Sequence, residues 1–68
     1  MTLSAYMKLR SLTDPAMAAI IGGCQESAVR KWRTGVRIPR RAFQRRIMEV
    51  TEGAVTPADF VLLARDAA

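Results

Sequence analysis

Histidine is absent from this 68-residue chain, and cysteine occurs once, at Cys24. The first absence removes imidazole from both general acid–base catalysis and metal ligation. The second removes an internal disulfide and a cysteine-rich zinc site, and is the usage expected in a reducing cytosol. Long apolar runs are missing too. The longest stretch without a charge, Pro15 to Gln25, falls well short of the roughly 20 residues that a membrane span requires. Met17-Ala18-Ala19-Ile20-Ile21, preceded by Lys8 and Arg10, is the nearest thing to a leader's apolar segment. Asp14 interrupts it, and cleavage after it would discard about a third of the chain, so no leader is expected. The carboxylates Asp14, Glu26, Glu49, Glu52, Asp59 and Asp66 form no evident acid–base pair or metal cluster, and no nucleophile has a base beside it. Catalysis, a cofactor and a metal are therefore not expected.

What remains is one domain over residues 1–68. A chain of this size buries only about 60% of its unfolded surface, so one core carries its stability. Half the residues are apolar and a quarter are charged, the balance of an ordinary folded domain. The charge is lopsided, with 11 Lys and Arg against 6 Asp and Glu for a net +5. That favours an anionic partner, most simply nucleic acid.

Punctuation residues divide the chain into helices. Thr13-Asp14-Pro15 reads as a helix start, with a capping hydroxyl and Pro in the first turn. Thr56-Pro57-Ala58-Asp59 is a stronger start, since the acid three residues on can reach back. Pro39 opens another segment, and Gly22-Gly23, Gly35 and Gly53 supply stops where left-handed backbone is cheap. The reading is all-α, a bundle of about five short helices over 2–10, 15–22, 26–34, 39–52 and 57–66. No segment alternates apolar and polar residues as a strand would.

Helical periodicity selects the inward faces. Phe43, Ile47 and Val50 form one stripe; Val29 and Trp32, with Ala28, form another. Phe60, Leu63 and Ala64 do the same, as do Leu3, Tyr6 and Met7. With Leu12, Met17, Ile21, Ile38 and Val55 they are expected to fill a single core.

Eight of the eleven basic residues fall between Arg30 and Arg46: Arg30, Lys31, Arg33, Arg37, Arg40, Arg41, Arg45 and Arg46. No acid lies between Glu26 and Glu49. A solvated face that keeps a small domain soluble is the plain alternative. Unrelieved like charge destabilises a fold, however, and guanidinium geometry suits phosphate and guanine. With Val29 and Trp32 inward, Ser27, Arg30, Lys31 and Thr34 fall at i, i+3, i+4 and i+7 on the opposite face. Such a polar strip is what a helix lying in a DNA major groove presents to base edges. The preceding segment, rich in Ala16, Ala18 and Ala19, permits close helix approach before a tight glycine turn, as in a helix-turn-helix.

At these residues the chain resembles the lambda-repressor-like helix-turn-helix regulators, in particular the phage Cro and YdaS-like group. Cys24-Gln25-Glu26-Ser27-Ala28-Val29-Arg30-Lys31-Trp32-Arg33-Thr34-Gly35 is similar to that group's V-S-Q-S-A-V-x-x-W-x-x-G recognition helix. Pro39 resembles its following proline, and Thr51 to Phe60 its T-G-G-x-V-T-x-x-D-L ending. Thr2-Leu3 and Tyr6 match its T-L-x-x-Y opening more loosely. Counted forward from Thr13, the group's turn glycine falls on Gly22; counted back from Val29, it falls on Gly23. One extra residue thus sits in the turn, and the loop from Trp32 to Pro39 is one shorter. Either the turn bulges or the second helix begins late.

The resemblance implies base-reading positions for Glu26, Ser27, Arg30 and Lys31. It places Gln25 at the start of the recognition helix, where side chain or backbone N–H binds phosphate. Charge and location assign Arg33, Arg37, Arg40 and Arg41 to the flanking DNA backbone, with Thr34 beside them; Arg45 and Arg46 depend on how the fourth helix turns. The expected protein is a cytoplasmic, nucleoid-associated regulator of double-stranded DNA, a Cro-type phage or prophage repressor acting by operator occupancy. So small a domain reads few base pairs, so a homodimer on a two-fold operator is expected, with Val61, Leu62 and Leu63 as its contact. The alternative is an antitoxin-like or adaptor protein with a protein partner and autoregulatory DNA binding. A basic RNA-binding or membrane-surface module stands third.

Overall fold

The computed structural model describes residues 1–61. Four helices, α1 (Leu3–Leu9), α2 (Asp14–Ile21), α3 (Glu26–Arg33) and α4 (Arg41–Val50), are followed by a helical stretch that begins at residue 57. No strand occurs among the described residues, so the all-α reading holds. The expected positions of Leu63 and Ala64 in the core, and of Leu62 and Leu63 in a dimer contact, lie outside the described residues.

The starts form as their sequences dictate. Thr13 Oγ1 accepts from the Ala16 N–H at 3.3 Å, and Thr2 Oγ1 accepts from the Ala5 N–H at 3.1 Å. Each occupies an otherwise unsatisfied first-turn donor. At the last helical stretch the Asp59 carboxylate reaches back to the Thr56 N–H at 2.8 Å and hydroxyl at 3.0 Å, the reciprocal half of a capping box. The Pro39 start is displaced. Gln44 Nε2 donates to the Pro39 carbonyl at 2.8 Å and the Gln44 N–H to Arg40, so Arg40 is the cap residue and α4 begins at Arg41.

Two stops differ from the glycine rule. Ser11 and Glu52 both adopt φ 55° and close α1 and α4. Leu12 N–H bonds to Met7 O at 2.8 Å and Gly53 N–H to Met48 O at 2.8 Å, the six-to-one bond of a Schellman motif. The residue taking up the left-handed turn of α4 is thus Glu52, one position before the glycine that marked it.

The core holds Leu3, Met7, Met17, Ala18, Ile21, Val29, Trp32, Ile47, Val55 and Phe60, with Tyr6, Leu12, Cys24, Ala28, Phe43 and Val50 packed partly buried around it. Trp32 and Phe43 meet at a centroid distance of 5.2 Å and a tilt of 45°, the inclined geometry that aromatic quadrupoles favour. Ile38 departs from expectation: it is 45% exposed, while the adjacent Pro39 is buried. Residues 37–40 lack regular structure, so helical periodicity does not govern which way Ile38 points. Thr51, unmarked by any apolar pattern, is buried; its hydroxyl donates to Ile47 O at 2.7 Å and accepts from Val55 N–H at 3.2 Å. It ties the end of α4 to the segment that follows.

Candidate nucleic-acid interface

α2 packs against α3 and α4, and α1 touches α3. Four residues join α2 to α3, and the first two, Gly22 and Gly23, have φ of 78° and 73°. Consecutive left-handed residues are cheap only for glycine. With them α2 ends at Ile21 and α3 starts at Glu26, where the sequence reading placed the helix of residues 26–34.

On α3 the two faces separate cleanly. Val29 is fully buried and Trp32 is 6% exposed, whereas Arg30, Lys31 and Thr34 are exposed and Ser27 is half-buried. Gln25 and Glu26 at the start of the helix are exposed as well. Gln25 is the cap residue of α3 but makes no side-chain capping bond, so its amide is left for other partners. Thr34 is not wholly free: its hydroxyl donates to Arg30 O at 2.7 Å and closes the last turn.

A groove runs along each side of α3. One is lined by Glu26, Ser27, Arg30 and Arg33 together with Lys8 of α1 and Ser11 and Thr13 from the α1–α2 connection. The other brings Gln25 and Ser27 together with Arg37 and Arg40, over a floor that includes Trp32 and Phe43. Ser27 borders both, and Lys31 borders neither. The Arg40 guanidinium lies 5.9 Å from the Phe43 ring centroid, within cation–π range, which braces a long side chain at the rim.

The structure sorts the eight clustered cations into two groups. Arg33, assigned to DNA backbone by its charge, instead forks onto Asp14, with Nε to Oδ1 at 2.7 Å and Nη2 to Oδ2 at 3.0 Å. That hydrogen bond, reinforced by the charges of Arg33 and Arg30, holds the Asp14 carboxyl below its ordinary value despite the opposing effect of burial, and pushes the guanidinium of Arg33 up. Arg46 Nε donates to Ile21 O at 2.9 Å, and its Nη1 lies 3.8 Å from Glu49. The other six, Arg30, Lys31, Arg37, Arg40, Arg41 and Arg45, are exposed and make no ion pair among the described residues. Neither pairing was singled out by pattern: Glu49 follows Arg46 at the i+3 spacing that would have found it, whereas Asp14 lies 19 positions from Arg33.

The cations differ in where they stand relative to the helix ends. Arg30, Lys31 and Arg33 occupy the last turn of α3 and Glu26 its first, which suits the helix dipole. Stability alone therefore accounts for charge there. Arg40 and Arg41 sit at the N-terminus of α4, whose first turn has no acid. Cations there oppose the partial positive charge of the helix end, a cost that an anion would relieve.

No helix among the described residues is long and apolar enough to cross a membrane. Compared with known proteins, the chain matched no family model, no curated protein and no solved structure.

Proposed function

We propose that this chain is a sequence-specific regulator that binds double-stranded DNA, with α2, the Gly22-Gly23 turn and α3 serving as its helix-turn-helix. The observation that carries the reading is the outward face of α3, where Arg30 and Lys31 stand exposed, with no ion pair among the described residues, over buried Val29 and Trp32. Arg30 and Lys31 reach base edges in the major groove, with Glu26 and Ser27 beside them. Gln25, Arg37, Arg40 and Arg41 hold phosphates in the groove wall, where Arg40 and Arg41 also lose their conflict with the α4 dipole. The resemblance to Cro and YdaS-like regulators points the same way. A repressor of this type acts by covering an operator that overlaps a promoter, and as a homodimer it reads two half-sites about one helical turn apart.

Selection of preferred sites from random duplexes tests this. A recurrent, two-fold symmetric sequence bound with affinity that falls steeply with salt is the expected result. Equal affinity for every duplex would overturn sequence-specific regulation. Binding to a protein partner that persists in high salt, with no preferred duplex, would replace it with the adaptor role.

A further inference from the structure

The fork between Asp14 and Arg33 joins the first residue of α2 to the last residue of α3, 19 positions apart in the chain. Between those ends the two helices are held by apolar packing, with Met17, Ala18 and Ile21 sharing one core with Val29 and Trp32. The four-residue connection opens on a pair of left-handed glycines, and no atom of the described residues, its chain neighbours aside, lies within 4 Å of where a Cβ at Gly22 would stand. The buried face of α2 consists of Met17, Ala18 and Ile21, a flexible, a small and a single branched residue. Apolar contacts are non-directional and define small rotations of α3 about its own axis less sharply than oriented hydrogen bonds do. A planar, two-point pair at the far end resists that rotation in a way a single contact does not. Arg33 also borders the same groove as Arg30, so a released Arg33 guanidinium would enter the basic surface.

We propose that Asp14 is a positioning residue: by holding Arg33 it sets how α3 is presented to DNA and withholds one guanidinium from indiscriminate phosphate contact. This rests on α3 being the recognition helix. The two effects trade raw affinity for discrimination, which separates them from a merely structural ion pair.

The test compares wild type, Asp14→Asn, Asp14→Glu and Arg33→Gln for binding to a selected duplex and to random-sequence duplexes across a salt series, with helix content checked by circular dichroism. For D14N the ratio of random to selected Kd falls several-fold. Its log–log salt slope on random DNA steepens by about 0.9, the increment of one additional phosphate contact. R33Q loses the ratio similarly but shows no steepening, since it frees no charge. D14E, which keeps the anion, returns most of the ratio. A D14N slope equal to wild type overturns the proposal, whatever happens to the ratio. Wild-type protein that treats all duplexes alike is a different failure, of the recognition-helix reading itself, and is visible before any variant is made.

Discussion

Arg46 on α4 donates through Nε to the carbonyl of Ile21, the last residue of α2, at 2.9 Å. A guanidinium thus closes the C-terminal end of α2, where unpaired carbonyls and the helix dipole both favour a cation. Its neighbour Arg45 is exposed and unpaired among the described residues. The two arginines are adjacent in sequence, one engaged within the fold and the other exposed.

Arg46→Met is therefore expected to destabilise the fold by about 1 kcal/mol, the worth of one half-exposed charged hydrogen bond. Arg45→Met should leave stability unchanged and weaken duplex binding instead. Urea unfolding and salt-dependent binding of the two variants check the division.

Arg30→Ala and Lys31→Ala should each reduce discrimination between the selected site and its single-base variants by about 1–3 kcal/mol, read from competition binding. Arg40→Ala should weaken all duplexes alike and flatten the salt slope by about 1. Arg41→Ala should do the same while raising the stability of the free protein by a few tenths of a kcal/mol, because it relieves the N-terminus of α4. A stability gain that accompanies a binding loss is the signature of charge placed for a partner.

Ser11 and Glu52 hold left-handed backbone that costs a side-chain-bearing residue about 1–2 kcal/mol. Ser11→Gly and Glu52→Gly should each raise stability by roughly 1 kcal/mol, seen as a higher urea midpoint at unchanged slope.

Acid should expose the two engaged aspartates. The hydrogen bond from Arg33 is the largest influence on Asp14. For Asp59, burial disfavours the charge, but hydrogen bonds from Thr56 and the Met1 amino group outweigh it. Both carboxyls lie below the ordinary 3.8 in the folded protein. Their folded values being depressed, the stability they contribute is complete above the unfolded value and is lost as pH falls through the folded one. Melting temperatures recorded from about pH 5 to 2 should drop below pH 4, and less steeply in Asp14→Asn.

Much of the fold was legible because its signals are local. Thr13, Thr56 and Asp59 make the caps their spacing predicts, and the Val29–Trp32 stripe lies in the core. What was hidden depends on contacts across the fold. Nothing near Arg33 or Arg46 in the chain distinguishes them from Arg37 or Arg45; their partners Asp14 and Ile21 are 19 and 25 positions away. Ile38 was misplaced because apolar character was read without a helix to orient it, and the buried neighbour is Pro39. The closing residue of α4 was missed because glycine is the usual occupant, and here Glu52 precedes one.

The side chains of Arg30 and Lys31 make no ion pair among the described residues. Folding therefore asks of these two positions only helix propensity and a charge that suits the end of α3, while Val29 and Trp32, one turn of the wheel away, are anchored. The lettering on α3 can be rewritten without disturbing the page it is printed on, so a library at residues 30 and 31 that leaves out proline and glycine should yield folded proteins that differ in the address each one seeks.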